Sequence, residues 1–169
     1  QASDLKIARL LFVFNKIKDE IASDNRGPNL NDILLKYGGS KYCITFVRQN
    51  NKMKYSLPDI GHNEIIELPI YQDQLSGFEY FFSNIPIEYI FHDDKINPRS
   101  IGQNISKLIQ EFYLKRPQLH ISLAWIDANE EYQKIKLFDG QHKAAAQILL
   151  GVKNLPVRIF LNPDPDVLL

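Results

Sequence analysis

Residues 134–151 read Lys134-Ile135-Lys136-Leu137-Phe138-Asp139-Gly140-Gln141-His142-Lys143-Ala144-Ala145-Ala146-Gln147-Ile148-Leu149-Leu150-Gly151. The first five residues alternate and end apolar, which predicts a strand. A polar turn follows, Asp139 to Lys143, and then a helix opened by small residues. Helix N-termini leave backbone N–H groups unpaired and carry partial positive charge, so such a turn is a ready anion site. Gly140 lacks a Cβ and lets backbone approach a ligand. Lys143 and the protonatable His142 fall in the first helical turn. The three alanines allow close packing of the helix on a sheet, and Gly151 is placed to cap its C-terminus. A purely structural reading competes: Asp-Gly is a common turn and Asp a common N-cap. That reading explains Asp139 and Gly140, but not Gln141, His142 and Lys143 in succession.

The rest of the chain supplies the frame. Ile7, Leu10, Leu11, Phe14, Ile17 and Ile21 recur at helical spacing, predicting a helix over residues 3–22 with Ser3 as its cap. Asn25 to Asn29 breaks it, and a second short helix is expected over residues 31–37, ended by Gly38 and Gly39. Residues 41–48 and 52–57 predict two strands around a turn at Asn50-Asn51. A third strand is expected over 64–71, and residues 80–84 suit either helix or loop. Further strands are expected at 87–91 and 120–126. Residues 101–113 form an amphipathic pattern with Ile101, Ile105, Leu108, Ile109 and Phe112 on one face. A boundary is expected between 60 and 75, giving residues 1–70 and 71–169 as two parts that can share one core.

Composition narrows the class. At 169 residues, with 44% hydrophobic and 24% charged residues, the chain suits an ordinary globular protein with a full core. Its formal net charge of zero provides no global field toward nucleic acid, so any DNA contact must be local. A single cysteine, Cys43, excludes an internal disulfide and favours a reducing, cytoplasmic setting. No apolar run approaches the ~20 residues needed to span a bilayer, and no membrane partner is expected. The end, Asn162 to Leu169, reads as a linker, with the expectation that a C-terminal remainder follows.

Several other residues invite chemistry. His92-Asp93-Asp94 offers paired carboxylates for a divalent metal, but a solvated turn ahead of Lys95 is the preferred reading. Asn97-Pro98-Arg99 is a helix-breaking turn whose arginine can be simply exposed or face phosphates. Asp59, His62 and Glu64 lack the spacing of a zinc site and read as loop. His120 reads as an edge histidine. Trp125 alternates with apolar neighbours and reads as core, with base stacking as the lesser alternative. Lys95, Lys107, Lys115 and Arg116 read as solubilising charge rather than a DNA face.

The Asp139–Lys143 turn, its alanine-rich helix and the following Leu155-Pro156-Val157-Arg158-Ile159-Phe160 segment resemble the ParB/sulfiredoxin superfamily. Ile96-Asn97-Pro98-Arg99-Ser100 ahead of the 101–113 pattern is similar to that family's N-P-x-R-like element. The likeness covers residues 84–162, and the Asp-Gly-Gln-His spelling looks closest to the DGQHR-type branch. That branch includes proteins associated with DNA phosphorothioate modification. The family's arginine is Lys143 here, which keeps charge but loses the bidentate fork. The turn holds no cysteine for sulfinic-acid chemistry, so sulfiredoxin activity is not expected.

The resemblance implies an α+β fold: a mixed sheet with helices, a ParB/sulfiredoxin-like unit behind a helical and β-hairpin N-terminal extension. It implies a nucleotide-binding domain of a bacterial DNA-associated system such as modification, restriction or partition, with NTP hydrolysis as the candidate activity. Gly140, Gln141, His142, Lys143 and Arg99 would hold a nucleoside triphosphate. His142 would polarise the terminal phosphate or orient water, and Asp139 would hold the turn. Asp139 and Asp94 are the candidate ligands of Mg²⁺. DNA is the expected macromolecular partner, and a homodimer is allowed. The alternatives are a non-catalytic DNA-binding or protein-interaction module, or a ParB-like nuclease.

Overall fold

The computed structural model describes residues 29–93, 95 and 121–168, together with residues 5, 8, 9, 11 and 12. The 101–113 pattern, the Asn97-Pro98-Arg99 element, Asp94, Lys107, Lys115, Arg116 and His120 lie outside the described residues, as does most of the 3–22 segment. Within that segment the described positions are helical, and Leu11 packs against the core.

The architecture is a mixed α+β one, with two sheets and few helices among the described residues. The first continuous element among the described residues is α1 (Leu30–Lys36). Asn29 caps it by a capping box: its side chain accepts the Asp32 N–H at 3.0 Å, and the Asp32 carboxylate accepts the Asn29 N–H at 2.8 Å. An antiparallel sheet of β1 (Val47–Gln49), β2 (Lys52–Leu57) and β3 (His62–Pro69) follows. The turn between β1 and β2 sits at Asn50, which adopts φ 57°. Asparagine tolerates that left-handed conformation better than most residues.

The second sheet has six strands among the described residues. They are β4 (Tyr71–Gln72), β5 (Glu79–Pro86), β6 (Ile90–His92), β7 (Ser122–Ile126), β8 (Ile135–Asp139) and β9 (Asn154–Leu161). Their spatial order is β4-β5-β9-β7-β8-β6. Pairings β4/β5, β5/β9 and β7/β8 are antiparallel, whereas β7/β9 and β6/β8 are parallel. Helix α2 (Gln141–Leu149) connects β8 to β9, which flank β7 on either side. A short α3 (Pro165–Leu168) closes the described chain.

Alternation decides which face is buried. Leu155, Val157, Ile159 and Leu161 of β9, Ala124 and Ile126 of β7, Ile135 and Leu137 of β8, and Phe81 and Ile85 of β5 are all in the core. Leu30, Ile33 and Leu34 of α1 join the same cluster, as do Ala144, Ala145, Ile148 and Leu149 of α2. All three alanines are fully buried, which lets α2 approach both α1 and β7 closely. Its C-terminus closes in a Schellman arrangement: Gly151 N–H donates to the Ile148 carbonyl and Val152 N–H to the Gln147 carbonyl, each at 3.0 Å.

The small sheet is tied to the large one by Met53, Tyr55 and Leu57, which belong to the same cluster. The Phe46 ring bridges Tyr55 and Phe81 edge-on, at 4.9 and 5.1 Å. A fork between Arg48 and Glu79 (2.7 and 2.6 Å) and a hydrogen bond between Tyr55 Oη and Ser83 Oγ reinforce the joint.

Several local expectations are corrected. Residues 80–84 are neither helix nor loop but the middle of β5, whose partner β9 lies more than seventy positions downstream. Residues 41–46 do not extend β1: only Ile44 pairs, as an isolated bridge to Gln133. The expected 87–91 strand begins as a 3-10 turn over Ile87–Tyr89, so β6 is short. The expected 64–71 strand divides between two sheets, β3 ending at Pro69 and β4 beginning at Tyr71.

Tyr89, inside this frame, donates a 3.3 Å hydrogen bond to Asp59 Oδ2. Burial, then the Asp59 charge, pushes its phenol from 10.0 up to about 12. Its folded pKa is therefore above its unfolded one. The stability it contributes is complete below pH ~10 and is lost as pH rises toward 12. Tyr89→Phe should flatten the fall of unfolding free energy between pH 10 and 12, measured by denaturant titration at each pH. An unchanged slope would show that Tyr89 does not control that window.

Candidate functional site

The turn between β8 and α2 brings together five of the residues singled out in the sequence. Asp139 ends β8 and is exposed; Gly140 caps α2; Gln141, His142 and Lys143 form its first turn. Asp139 is not the N-cap. That position belongs to Gly140 at φ 77°, a left-handed conformation, and no side chain among the described residues caps the helix start. Asp139 Oδ1 instead accepts the Gly140 N–H at 2.8 Å, holding the turn from its outer side. The first intrahelical bond runs from Ala144 N–H to the Gly140 carbonyl at 3.0 Å.

Glycine is required at 140 for a second reason. An added Cβ would stand 3.0 Å from Ser122 Oγ and 3.1 Å from Ser122 Cα. The turn is therefore pressed onto the first residue of β7. Ser122 Oγ also donates to the Gly140 carbonyl at 3.3 Å. Ser122 did not stand out in the sequence, because nothing local marks a serine as a neighbour of a turn eighteen residues away.

The three first-turn side chains divide by environment. His142 and Lys143 are half-buried. Gln141 turns inward, only 2% exposed, and its Oε1 accepts from His92 Nε2 at 2.9 Å. Gln141 Nε2 is buried and has no hydrogen-bond partner among the described residues. A buried amide left unpaired costs about 1–3 kcal/mol, so this side chain is the least satisfied polar group of the turn.

The His92-Asp93 pair is not a solvated turn: both residues are buried. Backbone Asp93 N–H donates to the Leu137 carbonyl at 2.9 Å, continuing the β6/β8 pairing beyond the strand. Its carboxylate accepts from Trp125 Nε1 at 2.7 Å and from the Lys95 N–H at 3.0 Å. Asp93 is thus committed to bonds within the protein. Trp125 is not core either. It is half-buried on the sheet face opposite the core, with Lys136 Nζ 4.7 Å from its ring.

Asp59 lies in a 3-10 turn (Pro58–Ile60) and His62 opens β3, so this segment is not wholly loop. Among the described residues no group of three or more His, Cys, Asp or Glu side chains is arranged to hold a metal ion, and no helix is long and apolar enough to cross a membrane. A separate cleft of about 360 Å³ is lined by Lys41, Tyr42, Cys43, Ser56, Asp59 and Tyr132, among others, and by none of residues 139–143. No sequence pattern pointed to it, since its walls come from three separated segments.

Fold and turn together define the class: a mixed α+β protein with a glycine-capped helix start at the end of an interior strand. No family model, no curated protein and no solved structure matches the chain.

Proposed function

We propose that this chain is a nucleotide-binding, ParB-like domain of a bacterial DNA-associated system, with the 140–143 turn as its phosphate site. The observation that carries this reading is the start of α2: a left-handed Gly140, no side-chain cap among the described residues, and His142 and Lys143 in the first turn. Uncapped N–H groups and the helix dipole favour an anion there. Lys143 adds a full positive charge, and phosphate is the anion that the ParB-like resemblance of this turn implies.

The roles follow from position. Gly140 to Lys143 backbone and the Lys143 ammonium would take phosphate oxygens. His142 would polarise the terminal phosphate or orient a water. Asp139 holds the turn through Gly140. It is the only carboxylate of the turn, so Mg²⁺ would arrive bridged to the triphosphate, keeping most of its waters, rather than sit in a protein cage. Arg99 is the further cation this reading recruits. Hydrolysis, where it occurs, would rest on electrostatic stabilisation of the transferring phosphoryl group.

Titration calorimetry with ATP, CTP and GTP analogues and Mg²⁺, on wild type and Lys143→Ala, tests this. Wild type should bind at least one triphosphate with micromolar Kd. Lys143→Ala should weaken it about tenfold or more, the value of a charge-assisted hydrogen bond. Absence of heat with every nucleotide, or equal affinity in the variant, would reduce the turn to a structural cap.

A further inference from the structure

The large sheet spends one face on the core, and the other carries an ordered lateral row. Reading across the strand registers, Tyr71 lies beside Tyr80, Tyr80 beside Phe160, Phe160 beside Trp125, Trp125 beside Lys136 and Lys136 beside Phe91. One step along the strands, Phe82 lies beside Arg158. Aromatic rings therefore dominate this face, with Lys136 and Arg158 set among them. Lys136 sits over Trp125, and the Arg158 guanidinium stands 4.9 Å from the Tyr80 ring centre and 5.0 Å from that of Phe82.

We propose that the Tyr71–Tyr80–Phe82–Arg158 end of this face binds single-stranded nucleic acid, Arg158 pairing with a backbone phosphate while bases stack on Tyr71 and Phe82. Three observations carry the proposal. First, Tyr71 and Phe82 are 47% and 40% exposed although large and aromatic, so their ring surfaces are available. Second, Arg158 Nε is buried and has no hydrogen-bond partner among the described residues. A planar guanidinium held between two rings with this donor unspent suits an anion that can accept two hydrogen bonds, such as phosphate. Asp73, whose carboxylate feels the Arg158 charge only as a minor influence, already accepts two bonds from Ser76, at 2.8 and 2.6 Å. Third, the Tyr71 and Tyr80 rings lie 5.8 Å apart and only 29° from parallel, a stacked pair at the sheet edge onto which a further ring can add.

The choice of a single strand follows from the same geometry. A duplex hides its base faces, and a sheet face bearing rings can use only unstacked bases. An acidic peptide could satisfy Arg158 but would leave the rings unused. With zero net charge on the chain, few phosphates are neutralised and the salt dependence should be shallow. The surface is independent of the nucleotide reading, since it lies on the face that α2 does not cover.

Fluorescence anisotropy of a labelled oligothymidylate about 15 nucleotides long, at about 50 mM salt, tests the proposal on the whole chain. Wild type should bind it at least about tenfold more tightly than the matching duplex or an oligoglutamate peptide. Tyr71→Ala and Phe82→Ala, both at exposed positions, should each weaken binding about fivefold or more, as loss of one base-stacking ring does. Arg158→Gln should lower the slope of log Kd against log salt by about 0.7, one phosphate contact on a single strand. Thermal melts establish that the variants are folded. No anisotropy change up to about 100 µM protein, the weak end of non-specific affinity, would overturn the proposal. So would equal binding of duplex or oligoglutamate, or wild-type affinity in both aromatic variants.

Discussion

Phe81→Ala is expected to remove about 3–5 kcal/mol of stability, the cost of emptying a phenylalanine-sized site in a packed core. Phe81 has no solvent exposure, faces Ile159 across the β5/β9 pair, and meets the Phe46 ring that in turn meets Tyr55. It therefore joins the six-stranded sheet to the three-stranded one. Domains of this size have total stabilities of about 5–15 kcal/mol, so the variant should lose a large part of its folded margin. Urea denaturation followed by circular dichroism measures the loss. Phe82→Ala is the internal control. One residue along, its side chain points to the opposite face and is 40% exposed, and its stability cost should stay below about 1 kcal/mol. Similar losses at the two positions would contradict the assignment of faces along β5.

Gly140→Ala should cost about 2–3 kcal/mol and weaken any anion bound at the turn. A left-handed conformation costs a residue with a Cβ roughly 1–2 kcal/mol. The remainder comes from contact: the new carbon would stand 3.1 Å from Ser122 Cα. Because β7 is held between β9 and β8, that backbone has little room to retreat. Gly61→Ala separates the two contributions. Gly61 is also left-handed, at φ 81°, but nothing lies within 4 Å of its added Cβ. Its cost should be the conformational part alone, about 1–2 kcal/mol. Equal thermal shifts in the two variants would show that the close approach to Ser122 does not constrain the turn.

Legibility of this fold tracked how local each signal was. The 134–151 segment reads correctly as strand, turn and helix because its information is contained in neighbouring residues: alternation, a glycine, then small and apolar residues at helical spacing. The capping box of α1 is equally local. The turn at Asn50 was legible from the Asn-Asn pair. By contrast, Tyr80 to Asn84 has no clean alternation of polar and apolar residues, since its outward face carries Tyr80 and Phe82. Its strand identity depends on β9, which supplies the hydrogen bonds from far along the chain.

The same distinction applies to the candidate site. Sequence alone determined that Asp139, Gly140, Gln141, His142 and Lys143 form one polar turn at a helix start, because five consecutive residues cannot be separated by folding. Only the tertiary structure decided what each of them faces. It turned Gln141 inward to His92, pressed Gly140 onto Ser122, and left His142 and Lys143 half-buried in the first turn. It also buried Asp93 beneath Trp125 and set Trp125 in an aromatic row away from the core. Those partners lie between 18 and 80 residues apart in the chain. Cross-strand register brings them together, and register is set by which faces the whole molecule can bury.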